Sequence, residues 1–292
     1  MKKVIISTVI SVLTVCGLFA QDVKFGIKGG MNLPNIMSGG TSTPVSEGYK
    51  SRMAAGWGIF TELQVTPPFS LRLGVEYSGM GGKKDGMQAM PTQRLLSEMA
   101  SGMAGMMGMT PEQEMAFGML ASTTPQYYYA NLKNTVKFDY VMIPVWAQYG
   151  WDVGQSPWRV YVNAGPFVSF ILSGKQVSKG TGRLFSDASG ATTLWDNVPE
   201  QAKEVIASQF PAIAGTLGGD VRFGTTNVTG ELRGANFGVS GNVGLRYQHN
   251  RNYFFIEAGG NYGFIAVQQN DANGNNRIGA ASIMLGYAFS MF

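Results

Sequence analysis

Eight stretches of the chain alternate apolar with polar or small residues, and in none of the eight does the apolar set contain Asp, Glu, Lys or Arg. Such period-two alternation places successive side chains on opposite faces of a β-strand. The stretches are Val23 to Asn32, Ala54 to Val65, Leu71 to Ser78, Tyr140 to Trp151, Trp158 to Leu172, Phe237 to Tyr247, Phe254 to Phe264 and Ile278 to Phe289. In the fourth, Val141, Ile143, Val145, Ala147 and Tyr149 oppose Met142, Pro144, Trp146 and Gln148. A chain patterned in this way folds as an all-β protein. It is either a soluble sandwich with its apolar faces turned inward or a membrane barrel with them turned outward. Both keep the apolar faces free of charge, so alternation alone leaves both open.

The connections separate the two. Three are brief, Thr66 to Ser70, Asp152 to Pro157 and Gln248 to Tyr253, while those at 33–53, 79–139, 173–236 and 265–277 are longer. Strict alternation of short and long is what an up-and-down barrel shows when one end is periplasmic and the other extracellular; a sandwich has no reason to show it. The sequence therefore predicts an eight-stranded antiparallel up-and-down transmembrane β-barrel with short periplasmic turns and long extracellular loops carrying short helices. Aromatic placement agrees with this orientation. Tyr149, Trp151, Trp158, Tyr247, Phe254, Tyr287 and Phe289 fall near the short-turn end, and Trp57, Tyr77, Phe170, Tyr262 and Phe264 fall toward the loops. Two such girdles mark the membrane interfaces.

The N-terminus fits an exported protein. Lys2 and Lys3 precede an apolar run from Val4 to Phe19, and Ala20 stands before polar Gln21 and Asp22. This reads as a signal peptide over 1–20, leaving a barrel domain over 21–292. Lipidation at Cys16 is the competing reading, disfavoured because Val15 precedes it where a small residue is needed. Cys16 is the only cysteine, so no disulfide is expected in the mature chain. Loss of Lys2 and Lys3 takes the net charge from +4 to +2, which indicates no nucleic-acid partner.

Several strands carry a recognisable signature. The segments FGIKGGMN, FDYVMIPVWAQYGW, RVYVNAGPFVSFIL, YFFIEAGGNYGF and the closing IMLGYAF together resemble the PorT-like outer-membrane β-barrel family across nearly all strands. The most specific piece is Tyr140 to Pro144, where Met142 stands in place of the family's acidic residue. The resemblance implies an outer-membrane barrel, with a terminal aromatic, Phe289 or Phe292, read by the barrel-assembly machinery. It also admits a role as an accessory of type IX secretion.

Eight strands enclose a space that side chains fill. The inward set places Lys24, Lys28, Arg72, Arg159 and Arg246 against Glu62, Glu76 and Glu257. The expected arrangement is a paired network filling the lumen, since an unpaired charge in so narrow a space is costly; a proton or ion path is the alternative. The one histidine, His249, falls in a predicted periplasmic turn, remote from any extracellular active site. No catalytic, metal or cofactor residues are assigned. A lipid-modifying barrel enzyme without a His-based site stays open as a rival to a structural or binding role.

The second long connection is rich in methionine, with ten of the chain's 17 between Met80 and Met119. It also carries two helix starts, near Thr92 and at Thr110-Pro111-Glu112. A third helix is expected over Pro199 to Gln209. Flexible, polarizable Met side chains suit either a lid packed on itself and on Tyr127 to Tyr129, or a surface for a protein partner.

Overall fold

In the computed structural model, residues 22–38, 43–104, 110–270 and 275–290 are described. The expected signal peptide over 1–20 and the terminal Phe292 lie outside them. In chain order the strands are β1 (Asp22–Ser38), β2 (Ala54–Gln64), β3 (Phe69–Pro91), β4 (Tyr127–Asp152), β5 (Trp158–Lys179), β6 (Thr181–Gly182), β7 (Val221–Arg222), β8 (Thr225–Asn227), β9 (Ala235–His249), β10 (Asn252–Gly263) and β11 (Asn276–Ser290). The helices are α1 (Thr92–Ala104), α2 (Pro111–Thr123), α3 (Glu200–Gln209) and α4 (Pro211–Gly218).

Eight of the strands close a ring. Each of β1 to β4 pairs antiparallel with the next, β5 pairs with β9, β9 with β10 and β10 with β11; β11 returns to β1 along a register running from Lys24↔Ser290 to Ser38↔Asn276. The short connections lie at one end of this ring and the long ones at the other. Burial decides which face is which. Glu62 and Arg72 point inward and are 0% exposed, whereas Ile27 and Leu285 point outward and are 61% and 62% exposed. Polar residues inside and a continuous apolar belt outside invert the soluble sandwich and leave a barrel that displays its apolar face to lipid.

Inward-facing aromatics explain several of the chain's 40 glycines. Tyr161 faces Gly244 across the β5/β9 pair, and Phe255 faces Gly286 across β10/β11. A Cβ at either glycine would fall inside the opposing ring. Each glycine thus lets a large ring lie flat across the neighbouring strand, a device that also pins register.

The structure departs from the sequence expectation beyond the loop-side girdle. The ladder between β3 and β4 continues past Ser78 from Gly79↔Asp139 to Pro91↔Tyr127, and β5 follows to Lys179. Hydropathy gave no sign of these extensions because outside the lipid the outward face can be charged, so alternation fades while backbone pairing persists. Gly81, with φ at +121°, is required where the ladder crosses this boundary, since a Cβ there would collide with the Val136 carbonyl.

Above the extended strands the two longest connections fold together. Helix α2 opens with a capping box in which the Thr110 hydroxyl accepts from the Gln113 amide at 3.3 Å and the Gln113 side chain accepts from the Thr110 amide at 2.9 Å. Met99, Leu120, Leu132, Leu194, Ile206 and Leu217 form its buried core, with Met90 and Met119 packed against it. Of the Met-rich segment, then, part is cap interior and part, as at Met115, is exposed. Helix α4 was not foreseen; its Pro211 restarts a helix directly after α3 stops at Gln209. A second apolar cluster, including Met80, Phe138, Tyr140, Phe167, Val228 and Val267, lies toward the long-loop end of the barrel.

Substitution should destabilise each face for a different reason. Ile283→Arg, at an exposed outward position between the girdles, is expected to cost about 2–4 kcal/mol in urea unfolding from lipid vesicles. Gly244→Val, which intrudes on Tyr161, is expected to cost about 1–3 kcal/mol in the same assay by overpacking the lumen.

Candidate functional site

The inward faces of β1, β2, β3, β5, β9 and β10 bring ionisable groups together in the short-turn half of the lumen. Arg72 is the hub. One of its terminal nitrogens meets Glu257 Oε1, and the other lies 3.2 Å from Glu62 Oε2. Arg246 reaches Glu62 Oε1 at 3.0 Å, and Lys28 Nζ lies 2.8 Å from Glu76 Oε1 and 3.6 Å from Glu257 Oε2. Three cations, Lys28, Arg72 and Arg246, thus form ion pairs with three carboxylates, Glu62, Glu76 and Glu257, and buried Lys24 stands opposite Glu62 across the β1/β2 pair.

Neutral donors complete it. The Tyr253 hydroxyl donates to Glu62 at 2.6 Å, the Tyr161 hydroxyl to Glu257 at 2.8 Å, and the Asn163 amide to Glu257 at 3.3 Å. Aromatic faces cover the cations: Phe60 lies 4.4 Å from the Arg72 guanidinium, and Trp146 lies 4.3 Å from Lys28 Nζ. Trp146 is itself fixed by its indole N–H, which donates to Ser240 Oγ at 2.7 Å. Sequence reasoning had missed Tyr161, Asn163, Tyr253 and Trp146 as members. Their inward parity on alternating strands was the available signal.

Arg159 does not join the cluster. It sits at the short-turn rim, where it meets Asp152 at 3.4 Å and donates to the carbonyls of Pro67 and Gly150. Its register partner is Arg246, and repulsion between the two favours this outward escape. Lys24, also near that mouth, donates to Gln64 Oε1 at 3.4 Å.

The aromatic residues fall into two rows. Tyr149 with Trp151, Trp158 with Tyr247, and Phe254 with Tyr287 each pack at 5.0 Å, and Phe289 joins Phe25, a member the sequence reading left out. Toward the long loops, Trp57 stacks on Tyr77 at 5.7 Å, Tyr262 and Phe264 pack at 5.8 Å, Phe237 extends that group, and Phe170 is exposed on β5. His249 is exposed at the short-turn end of β9. Among the described residues no group of three or more His, Cys, Asp or Glu side chains could hold a metal ion.

Every charge in the cluster already faces an opposite charge, so the arrangement is suited to filling and fixing the lumen rather than to acid–base chemistry. Arg72→Met, which would leave Glu62 and Glu257 without their shared cation, is expected to destabilise the barrel by about 3–5 kcal/mol in urea titration. Adding Glu257→Gln to that variant should recover part of the loss, because one stranded charge is removed.

The model of the outer membrane protein beta-barrel domain family matches residues 19–269. Among solved structures the chain is similar to Neisserial surface protein A (13% identity, 91% of this chain and 96% of that one, TM-score 0.34). It is also similar to Ail, the attachment invasion locus protein of Yersinia pestis (8% identity, 92% and 100%, TM-score 0.33), and to the outer membrane protease OmpT from Escherichia coli (8% identity, 93% and 97%, TM-score 0.38). No curated protein matches the chain. With a ring of eight antiparallel strands, an outward apolar belt and a family match spanning most of its length, this chain belongs to the outer membrane protein beta-barrel domain family and resides in the outer membrane.

Proposed function

We propose that this protein is a non-enzymatic outer-membrane barrel whose lumen is closed and whose specific contacts are made outside the cell by its long loops. The observation that carries this reading is the filling of the lumen at two levels. The charged cluster around Arg72 occupies the short-turn half, and the apolar cluster around Phe138 and Tyr140 occupies the long-loop mouth. The folded cap built from α1 to α4 supports an external contact role, because a loop with its own core presents a fixed surface. Export by a signal peptide cleaved after Ala20 belongs to the same reading, and the purified protein is then expected to begin at Gln21.

The PorT-like strand segments favour a second reading, an accessory of a type IX secretion or surface-assembly system. It requires a stable protein partner recoverable from detergent extracts. A His-based lipid-modifying site has no support, since the one histidine is exposed at the short-turn end; a lipid-modifying barrel without such a site is the third reading, and unchanged lipid A and phospholipids in cells lacking the protein would eliminate it.

In planar bilayers the refolded protein is expected to give no steady, large conductance, and such a conductance would overturn the closed lumen. Orientation is read separately in intact cells with a membrane-impermeant maleimide. A Ser189→Cys variant in the long β5/β9 connection should be labelled, and a His249→Cys variant should be labelled only after permeabilisation. Replacing 92–126 by a short Gly/Ser linker should leave the barrel folded and SDS-resistant, since its ladder does not run through α1 or α2.

A further inference from the structure

The outward face of β3, β4 and β5 changes character at one level. Up to Val75 and Tyr77 on β3, Val141 on β4, and Phe170 and Leu172 on β5, it is apolar and turned to lipid. Beyond that level the same face is basic. Lys83 stands on β3, Lys133 and Lys137 on β4, Lys175 and Lys179 on β5, and Lys50 beside them on the β1/β2 connection, all of them exposed. The Arg52 guanidinium lies alongside, donating to the Met80 carbonyl at 2.6 Å.

These lysines are not merely near one another. They stand directly opposite one another in three cross-strand pairs, Lys50↔Lys83, Lys137↔Lys175 and Lys133↔Lys179. Like charges placed directly opposite across a ladder destabilise it. Among the described residues one carboxylate comes within ion-pairing range, Asp85 at 3.7 Å from Lys133. Asp139, at the boundary, is engaged by the hydroxyls of Tyr77 and Ser173, each at 2.6 Å. Gly81, opposite Lys137 on the other side, puts no side chain between Lys137 and Arg52. The sheet thus holds a repulsive array in place with little internal compensation.

We propose that this face binds an outer-leaflet lipid whose headgroup carries more than one phosphate, with its acyl chains lying on the apolar surface just below. The proposal rests on the extracellular placement of the long loops. The array begins directly above Tyr77 and Phe170, members of the loop-side aromatic girdle, which is the level of lipid headgroups. Adjacent strands lie about 4.8 Å apart, so pairs spread over the connection and three strands span more than a single phosphate can meet. A free anion from solution would gain the charge contacts but bury no apolar surface. A lipid gains both.

The full protein in detergent micelles is titrated with lipid A carrying two phosphates, with its one-phosphate form and with inorganic phosphate, bound lipid being read by native mass spectrometry. The two-phosphate lipid is expected to bind most tightly and to weaken with added salt. Lys83→Gln/Lys137→Gln/Lys175→Gln should weaken it by about tenfold or more. Arg251→Gln, at the opposite end, should leave it unchanged. All three substituted lysines are exposed, so folding should survive, and heat-modifiable migration on SDS gels checks that it does; Lys137→Gln alone is the fallback variant. Equal binding by parent and triple variant would overturn the proposal. So would full competition by inorganic phosphate, or by an acidic peptide, at the lipid's own concentration. If maleimide labelling places Ser189→Cys inside the cell while lipid binding persists, the orientation fails and the phosphate site stands.

Discussion

Inside a bilayer no water is available to satisfy a strand edge, so every strand must find a partner on both sides. In this chain that requirement is met when β11 pairs with β1 and β4 with β5, which closes the ring. Closure at eight strands then fixes a lumen too narrow to stay open. Whatever faces inward must be packed, and whatever is charged must be paired. The Arg72 hub between Glu62 and Glu257, with Tyr253 and Tyr161 supplying hydroxyls, is one solution to that demand. The flat rings lying over Gly244 and Gly286 are another.

The same constraint ends where the hydrocarbon ends. Backbone pairing is a property of the ladder, whereas apolar–polar alternation is a property of the solvents on either side. Where lipid gives way to water, β3, β4 and β5 keep pairing, but their outward residues now include Lys83, Lys133, Lys137, Lys175 and Lys179. The rigid strand extensions then serve as a base for α1 to α4, whose shared core joins two connections far apart in sequence. An ion pair from Arg94 in α1 to Glu231 in the β5/β9 connection, at 3.3 Å, ties them further.

How much of this was legible in the sequence follows from the same division. The membrane-crossing parts of all eight strands could be read because alternation is enforced there by lipid. The extensions of β3 to β5 could not, since Gly79, Gly81, Gly82, Lys83 and Lys84 read as loop. The starts of α1 and α2 were visible through their Thr positions and Pro111, but α4 was hidden because Phe210 and Pro211 look like a terminus rather than a restart. Parity identified the inward charges and yet overcounted them. Arg159 has inward parity, but it lies one residue from the end of its strand, where a long side chain can reach the rim. Parity gives direction; only distance from the strand end says where the head of a long side chain arrives.

A barrel of this kind separates its charges into two populations with different consequences. Those in the lumen are buried, ion-paired and engaged by hydroxyls and rings, so little of their electrostatic potential reaches a ligand. Those on the outward face above the girdle are exposed, chiefly lysine and opposed in pairs, so their potential projects into the headgroup layer. Salt screens such an array, but an anion held at the membrane surface by its own acyl chains is present at high local concentration. On the lipid-binding proposal, the physical weight of recognition falls outside the barrel wall, on the lysine face and the cap above it, while the interior is left to hold the ring in one register.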